Sequence, residues 1–423
     1  MSQQQQHNWR QFWTHKSGSV VVSMALGLPI LLGFTALGVE TAVWYSQRNT
    51  LQSAADAAAI AGAHQLRRSA SETQIKETAI EEAVRNNYVL DVATNSINYP
   101  PLSGAYTGDE AVEANLSAAI TTLITSYFLT NAGSINVRAV ARVAPGTEAC
   151  VLALDPTADS AIDFSGSSVV SMTNCTIASN SISTTAISVS GSADVTTECV
   201  SAVGGVDATS GLNLTGCSKP VTKGPVVSDP YAGLAIPTDP VACSENNYKI
   251  VGAPSQVVTM APGRYCGGAD LQTGQVTMQP GVYIMDGGDF EIGANATVTG
   301  TGVTIYLANN AGSNDPVVTI NGGGAIDITA PNTGTYAGVL FFQDPDSEGS
   351  PNTFNGNSVS NFTGAIYMPN THVRFLGNNA TGGGCTQIVA NTVEIQGSAD
   401  LDNECDGVGT ASLSVPGHVQ LVE

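Results

Sequence analysis

The sequence predicts an N-terminal membrane-spanning helix that continues into a small α+β region, followed by an all-β parallel β-helix. Three observations predict this architecture: a charge-free apolar run near the N-terminus, a short strand phrase that recurs at a fixed interval, and eight cysteines that all lie at or beyond Cys150.

The apolar run extends from Val20 to Val39 without a charge and is ended by Glu40. Twenty such residues are enough to cross a bilayer as a helix, and the run exceeds the apolar core of a cleaved signal peptide. Pro29 is tolerated in a membrane helix. Arg10 and Lys16 precede the run, Trp9 and Trp13 lie on that near side, and Trp44 and Tyr45 follow it. By the bias of basic residues toward the cytoplasm, residues 1–17 are expected there and the rest outside. Beyond the run, Leu51, Ala55, Ala58 and Gly62 fall at helical spacing as a stripe of mostly small residues, which predicts one long helix continuing to about Asn87. Strands are expected near Ser96–Tyr99, Ala111–Ala118 and Ile135–Val143, with a short helix near Thr121–Thr130. The turn Ala144-Pro145-Gly146 closes this region.

The repeat begins there. Ile162-Asp-Phe-Ser-Gly166, Ile187-Ser-Val-Ser-Gly191 and Leu212-Asn-Leu-Thr-Gly216 stand 25 residues apart, and the phrase returns from Val318, Val373 and Val393, with Phe290-Glu-Ile-Gly293 one residue short. Two apolar residues separated by one polar residue make a half-buried strand, and the glycine ends it at a corner. A second phrase starts at Gly281, Gly302, Gly338 and Gly364. Repetition at such intervals predicts stacked coils, with loops such as Ala311–Asp315 and Asp344–Asn352 inserted at corners. The alternative is a β-sandwich, whose short strands and turns have similar composition.

Residues 150–423 hold 5 Lys/Arg against 24 Asp/Glu, whereas residues 1–149 hold 9 against 11. A surface this acidic repels nucleic acid, so no nucleic-acid partner is expected. An even cysteine count on one side of a membrane span predicts disulfides in an oxidising compartment. Cys385 and Cys405 each fall eight residues after a repeat glycine, and Cys175 and Cys199 fall nine and eight after theirs. Neighbouring coils about 4.8 Å apart would allow each pair to bond. The expected pairs are therefore Cys175 with Cys199 and Cys385 with Cys405, leaving Cys243 with Cys266 and, by elimination, Cys150 with Cys217.

Three blocks carry a family resemblance: Gly18 to Leu32 with Pro29 inside, Gly38-Val-Glu-Thr-Ala-Val-Trp-Tyr with Glu40, and Leu51-Gln-Ser-Ala-Ala-Asp-Ala-Ala-Ala with Gln52, Ala54, Ala55 and Asp56. In this order and at these distances they resemble the N-terminal signature of the TadE/TadG proteins of the Flp, or tight-adherence, pilus system, and most closely its TadG-like branch. The resemblance covers residues 15–65 and more weakly Tyr99–Gly108 and Ser134–Val143. It implies a single-pass protein of the bacterial inner membrane, N-terminus cytoplasmic and bulk periplasmic or cell-surface, with pilus-assembly or pilin-like partners. In pilin-like relatives a glutamate stands five residues after the glycine that precedes the apolar run. Ser23 stands there in this chain, so the carboxylate that pairs subunits in a filament is missing.

Candidate chemistry is sparse. Asp163-Phe-Ser-Gly-Ser167 spells a metal-ion-dependent adhesion-site pattern, but it falls inside the repeat. Asp344-Pro-Asp-Ser-Glu348 and Asp400–Asp406 are carboxylate clusters that suit Ca²⁺, though neither matches a calcium loop. Asp286 and Asp289 offer paired carboxylates, Arg264 or Arg374 would suit a lyase, and His372 and His418 are the histidines of the β region. Nothing resembles a nucleophile with its base. The expected product is a non-enzymatic, membrane-anchored scaffold or adhesin of pilus assembly without catalytic, cofactor-binding or metal residues, a surface glycan being a conceivable ligand. The alternative is a β-helix that binds or cleaves envelope polysaccharide. The expected divisions are a cytoplasmic N-terminus (1–17), a span (18–44), a membrane-proximal α+β domain (45–145), a disulfide-stapled β-helix (146–410) and a tail (411–423).

Overall fold

The computed structural model describes residues 17–68, 70–88, 95–122, 124–127, 133–208, 211–238, 240–309, 315–356, 360–377, 379–380, 384–397, 399–400 and 405–423. The basic and aromatic residues before the apolar run, most of the loop at 311–315, and residues 401–404 of the last acidic cluster lie outside them. The chain forms two compact units, one of Met1–Ala144 with Val419–Glu423 and one of Pro145–His418.

In the first unit, α1 runs from Ser17 to Arg67. Its apolar part has no buried residues, and it is long and apolar enough to cross a membrane. The continuous helix expected to Asn87 is instead broken. Ser71 caps a new helix, α2 (Glu72–Arg85): its hydroxyl accepts from Gln74 N while the Gln74 side chain accepts from Ser71 N. This reciprocal pairing satisfies donors that a helix start leaves open. α2 folds back on α1, so Ala54, Ala58, Ala59 and Ala63 share a core with Ile75, Ala79 and Ala83. The same core includes β1 (Ser96–Asn98), β2 (Ala111–Ala119) and β3 (Ser134–Val143), an antiparallel sheet close to the strands expected. The expected short helix is a single 3₁₀ turn, Thr125–Tyr127, within the described residues. Small side chains let the helix approach closely: a Cβ on Gly62 would stand 2.8 Å from Val112 Cγ1.

The residues expected as a tail are ordered parts of both units. Ser414 and Val415 pair antiparallel with Glu148 and Thr147, and Val419–Leu421 joins β3 with Val419 opposite Val143. The second unit is thus inserted between two neighbouring strands of the first.

The second unit is mostly β, and its strands pair in parallel with strands one coil-length away, which excludes a sandwich of antiparallel sheets. Ile162 stands opposite Ile187, Val373 opposite Val393, and Phe290 opposite Val318. A uniform solenoid in chain order is not what forms. Eight strands close a parallel circuit: Gly263–Met278, Gly281–Asp286, Val303–Ala308, Val339–Gln343, Asn361–Gly377, Asn352–Gly356, Val318–Ile320 and Phe290–Thr301. The first strands of the unit stack beyond the last: Val151 lies against Ile388 and Ile162 against Val393. The third repeat is also displaced. Leu212 pairs with Val195, and Val206 takes the place opposite Ile187, because the chain from one strand to its partner is shorter here than the interval of 25.

Two layers of apolar packing hold this unit. Inside, Phe341, Phe354, Phe362 and Phe375 form successive ring contacts with centroids 5.2–6.5 Å apart. Such pairs add to the burial of the rings themselves. Outside one face, Tyr306, Phe342, Tyr367 and Tyr231 make a second row. Val227 and Tyr231, from the segment joining Val221 to Glu245, cover that row together with Leu413 and Val415. The Tyr231 hydroxyl donates to Gln387 and accepts from Ala411 N, and Tyr367 donates to Asp229 Oδ2. Burial, only partly offset by the Ala411 N–H and reinforced by Asp229, pushes the Tyr231 hydroxyl up to about 12.

Four disulfides form, with Cα separations of 4.6–5.7 Å. Cys385 joins Cys405 and Cys243 joins Cys266. The other two pairs differ from those expected: Cys150 joins Cys175, and Cys199 joins Cys217. The register explains the exchange. Thr176, not Cys175, stands opposite Cys199, since the three residues between Met172 and Thr176, with Asn174 at φ 60°, face the single residue Glu198. Cys150 sits in the corresponding irregularity between Ala149 and Val151. Cys150 and Cys175, one in each irregularity, meet, and Cys199 is left to Cys217, whose N–H reaches Glu198 O.

Candidate functional site

The family-signature residues occupy α1 and divide by environment. Gly18 and Pro29 both lie in the helix, Gly18 just before the apolar run and Pro29 within it and exposed. Leu51, Ala54 and Ala55 are buried in the first unit's core. Gln52 is the tie to the sheet: its amide donates to Asp56 Oδ1 at 2.7 Å and to Arg138 O at 3.1 Å. Asp56 therefore orients Gln52, one helical turn away.

Glu40, at the end of the apolar run, is fully buried. Its carboxylate accepts from Thr125 Oγ1 at 2.6 Å and from Thr125 N at 3.2 Å. One to two turns further on, the Trp44 indole donates to Thr121 O at 2.9 Å, and Gln47 exchanges hydrogen bonds with Thr121. The segment between β2 and β3 is thereby fastened to α1. Sequence reasoning did not reach this contact, although an acidic residue closing an apolar run was a signal that a partner was required.

A third network closes the first unit. Glu113, fully buried, accepts from Ser103 Oγ, Arg138 Nε, Asn98 Nδ2 and Leu102 N, and Arg138 also pairs with Glu423. Burial works to raise the Glu113 carboxyl, but the hydrogen bonds from Ser103, Arg138, Asn98 and Leu102 outweigh it and hold it down at about 2.

In the second unit the residues considered for chemistry are spread among structural partners. Arg264 pairs with Asp286 at 2.6 Å and donates to Pro240 O and Thr238 O, holding the covering segment. Asp289 instead accepts from Val317 N at 2.9 Å, so the two carboxylates are held by different partners. Asp344 accepts from Tyr306 and from Asp346 N. The register does bring Arg374 and Asp163 into one outward-facing row, on either side of Glu394. Glu394 binds Arg374 Nε at 2.8 Å and lies 3.3 Å from His372 Nε2, while His372 Nδ1 is 2.7 Å from Thr392. Glu394 was missed in the sequence because only the pairing of distant strands sets it beside both. The row continues through Ser188 to Asp207 and, the other way, through Thr353, Thr319, Glu291 and Asp270 to Lys249. It is a net acidic ladder: Lys249 pairs with Asp270 and Arg374 with Glu394, while Glu291, Asp163 and Asp207 add further carboxylates.

The helix and its signature blocks match a known pattern. Residues 18–65 match the family model described as putative Flp pilus-assembly TadE/G-like. The TadE/G-like match therefore spans α1 from its apolar run to the residues that pack on the sheet, and includes Glu40, Gln52 and Asp56. Residues 226–406 match a domain of unknown function, DUF7305. This second match begins at the covering segment and takes in the eight-strand circuit, but leaves out the strands from Thr147 to Leu214 that stack beyond Ile388 and Val393. No curated protein and no solved structure matches the chain.

Proposed function

We propose that this protein is a non-enzymatic component of Flp/Tad-type pilus assembly, anchored by α1 in the bacterial inner membrane with its N-terminus cytoplasmic. The observation that carries the proposal is that the TadE/G-like match coincides with a helix whose first part is apolar and unburied and whose second part is buried in its own folded unit. A membrane stem has that construction. Four disulfides in the second unit fit export to an oxidising compartment. Parallel ladders closed at their corners make a stiff body, suited to act as scaffold or adhesin through its outward rows and corner loops. Arg264, Asp286, Asp289, His372 and Arg374 are engaged with other side chains or with backbone, which favours this reading over polysaccharide cleavage.

Scaffold and adhesin separate by excision. Because Val143 and Val419 are paired neighbours, residues 144–418 can be replaced by a two-residue hairpin turn without parting the first unit's strands. If the β unit is an adhesin, cells carrying this variant assemble pili and lose attachment. If it is a scaffold, they make no pili. Normal pili and normal attachment would refute both roles.

A further inference from the structure

Where the apolar run of α1 ends, Thr121 and Thr125, from the chain between β2 and β3, lie against it. Thr125 is held by Glu40, and Thr121 by Trp44 and Gln47. Ile124 lies between these two anchors in sequence and lines a groove of about 320 Å³ with Ile30, Phe34, Leu37 and Glu40. At a helical rise of ~1.5 Å per residue, Leu37 and Phe34 stand roughly 5 and 9 Å to the apolar side of Glu40. Ile124 therefore reaches past the one carboxylate that marks the edge of the span. It is 39% exposed and Tyr127 is 85% exposed. A single exposed apolar side chain is ordinary on a protein in water. Here the exposure is continuous with a helix face whose Phe34 and Leu37 are themselves exposed.

We infer that Thr121, Thr122 and residues 124–127 form a foot that lies in the lipid interface, with Ile124 at the acyl boundary beside Phe34 and Leu37 and the Tyr127 ring among the head groups. The inference rests on α1 crossing a bilayer, as proposed above, and adds what the folded unit itself does there. Trp44, Tyr45 and Tyr127 supply the amphipathic rings favoured at a membrane boundary. A depth of ~5–10 Å below the head groups is where apolar faces of interfacial segments settle. Glu40 is compatible with this position because its carboxylate is covered by the foot's own N–H and hydroxyl donors instead of facing lipid. The foot would fix how far α1 sits in the membrane.

Photo-crosslinking tests the foot on the full chain in nanodiscs of phosphatidylcholine and phosphatidylglycerol. Benzoylphenylalanine is placed at 124, at 34 as the lipid-facing reference, and at 107 as the aqueous reference. Position 107 lies in the turn that also holds Gly104, which approaches Arg138; Arg138 binds Gln52, some 18 Å further along α1 than Glu40. Positions 34 and 124 should give lipid adducts and position 107 none. In a Glu40→Ala background the adduct yield at 124 should fall several-fold while that at 34 stays unchanged. Lipid adducts at 34 but none at 124 would overturn the foot and leave the span intact. A cross-link from 124 to another protein in native membranes, without lipid adduct, would also overturn it and assign the groove to a partner helix. Absence of lipid adducts at both 34 and 124 would overturn the spanning reading itself.

Discussion

The two units solve the same packing problem with opposite materials. The stem unit packs alanines: Ala54, Ala58, Ala59, Ala63, Ala79, Ala83, Ala114, Ala139 and Ala141 bring helices and sheet into close contact, and buried hydrogen bonds at Glu40, Gln52 and Glu113 fix the arrangement. The β unit packs rings and branched side chains in rows and adds four disulfides. Small residues contribute little burial each, so the stem depends on close approach and on polar ties. Large residues in register contribute much more per side chain, so the β unit depends on keeping its ladder aligned.

That contrast can be broken most forcefully at Phe354, which touches Phe341, Phe362 and Phe375. Phe354→Ala should cost about 3 to 5 kcal/mol, read as a lowered unfolding midpoint of the β unit with the helical signal of the stem unchanged. A next-largest effect is expected at the exchanged disulfides. Replacing Cys150 and Cys175 together by Ser should cost about 3 kcal/mol for a closed loop of 25 residues. Non-reducing peptide mapping should recover Cys150 with Cys175 and Cys199 with Cys217; a peptide joining Cys175 to Cys199 would contradict the register described.

The stem should instead be sensitive to acid. Glu113 titrates at about 2 in the folded chain against an ordinary 4.5, so the unfolded chain takes up its proton first as pH falls. The resulting stability, about 3 kcal/mol at most, is fully present above pH ~4.5 and is lost on going down toward pH ~2. Glu113→Gln should flatten the pH dependence of stem unfolding across that window, and an unchanged slope would show that Glu113 does not carry it. The smallest effect belongs to the exposed Lys76–Glu72 pair at 2.7 Å. Lys76→Ala should shift stability by no more than about 0.5 kcal/mol, and a larger loss would mean that α2 relies on surface charge rather than on its capped start and buried alanines.

Local signals in the sequence carried far. Val20–Val39 announced the apolar helix, Ile162 and Ile187 announced parallel strands in register, and the matched offsets of Cys385 and Cys405 announced their bond. What failed were inferences that needed a count along the chain to stay in step with space. Two extra residues between Met172 and Thr176 left Thr176, not Cys175, in line with Cys199. A shortened coil sent Leu212 to Val195 although the spacing of 25 was kept. The stacking of Val151 on Ile388 joins segments more than 230 residues apart, and no local pattern encodes which strand edge accepts which. In the stem, Ser71 had the capping pattern that divides α1 from α2, but helix-favouring residues on both sides, alanines before it and Glu, Gln and Lys after it, masked it. Glu40 was visible as a charge at the end of an apolar run, while its partner Thr125, 85 residues away, was not.

The central claim, a bilayer-crossing stem that holds the β unit outside the cytoplasm, is tested most directly by protease accessibility. A recognition site for a sequence-specific protease is inserted in the exposed stretch Glu348–Pro351, and the chain is produced in its native host. The account predicts cleavage when protease is added to intact spheroplasts, with the N-terminal fragment remaining in carbonate-washed membranes. Cleavage only after lysis, or release of that fragment by the wash, would contradict it.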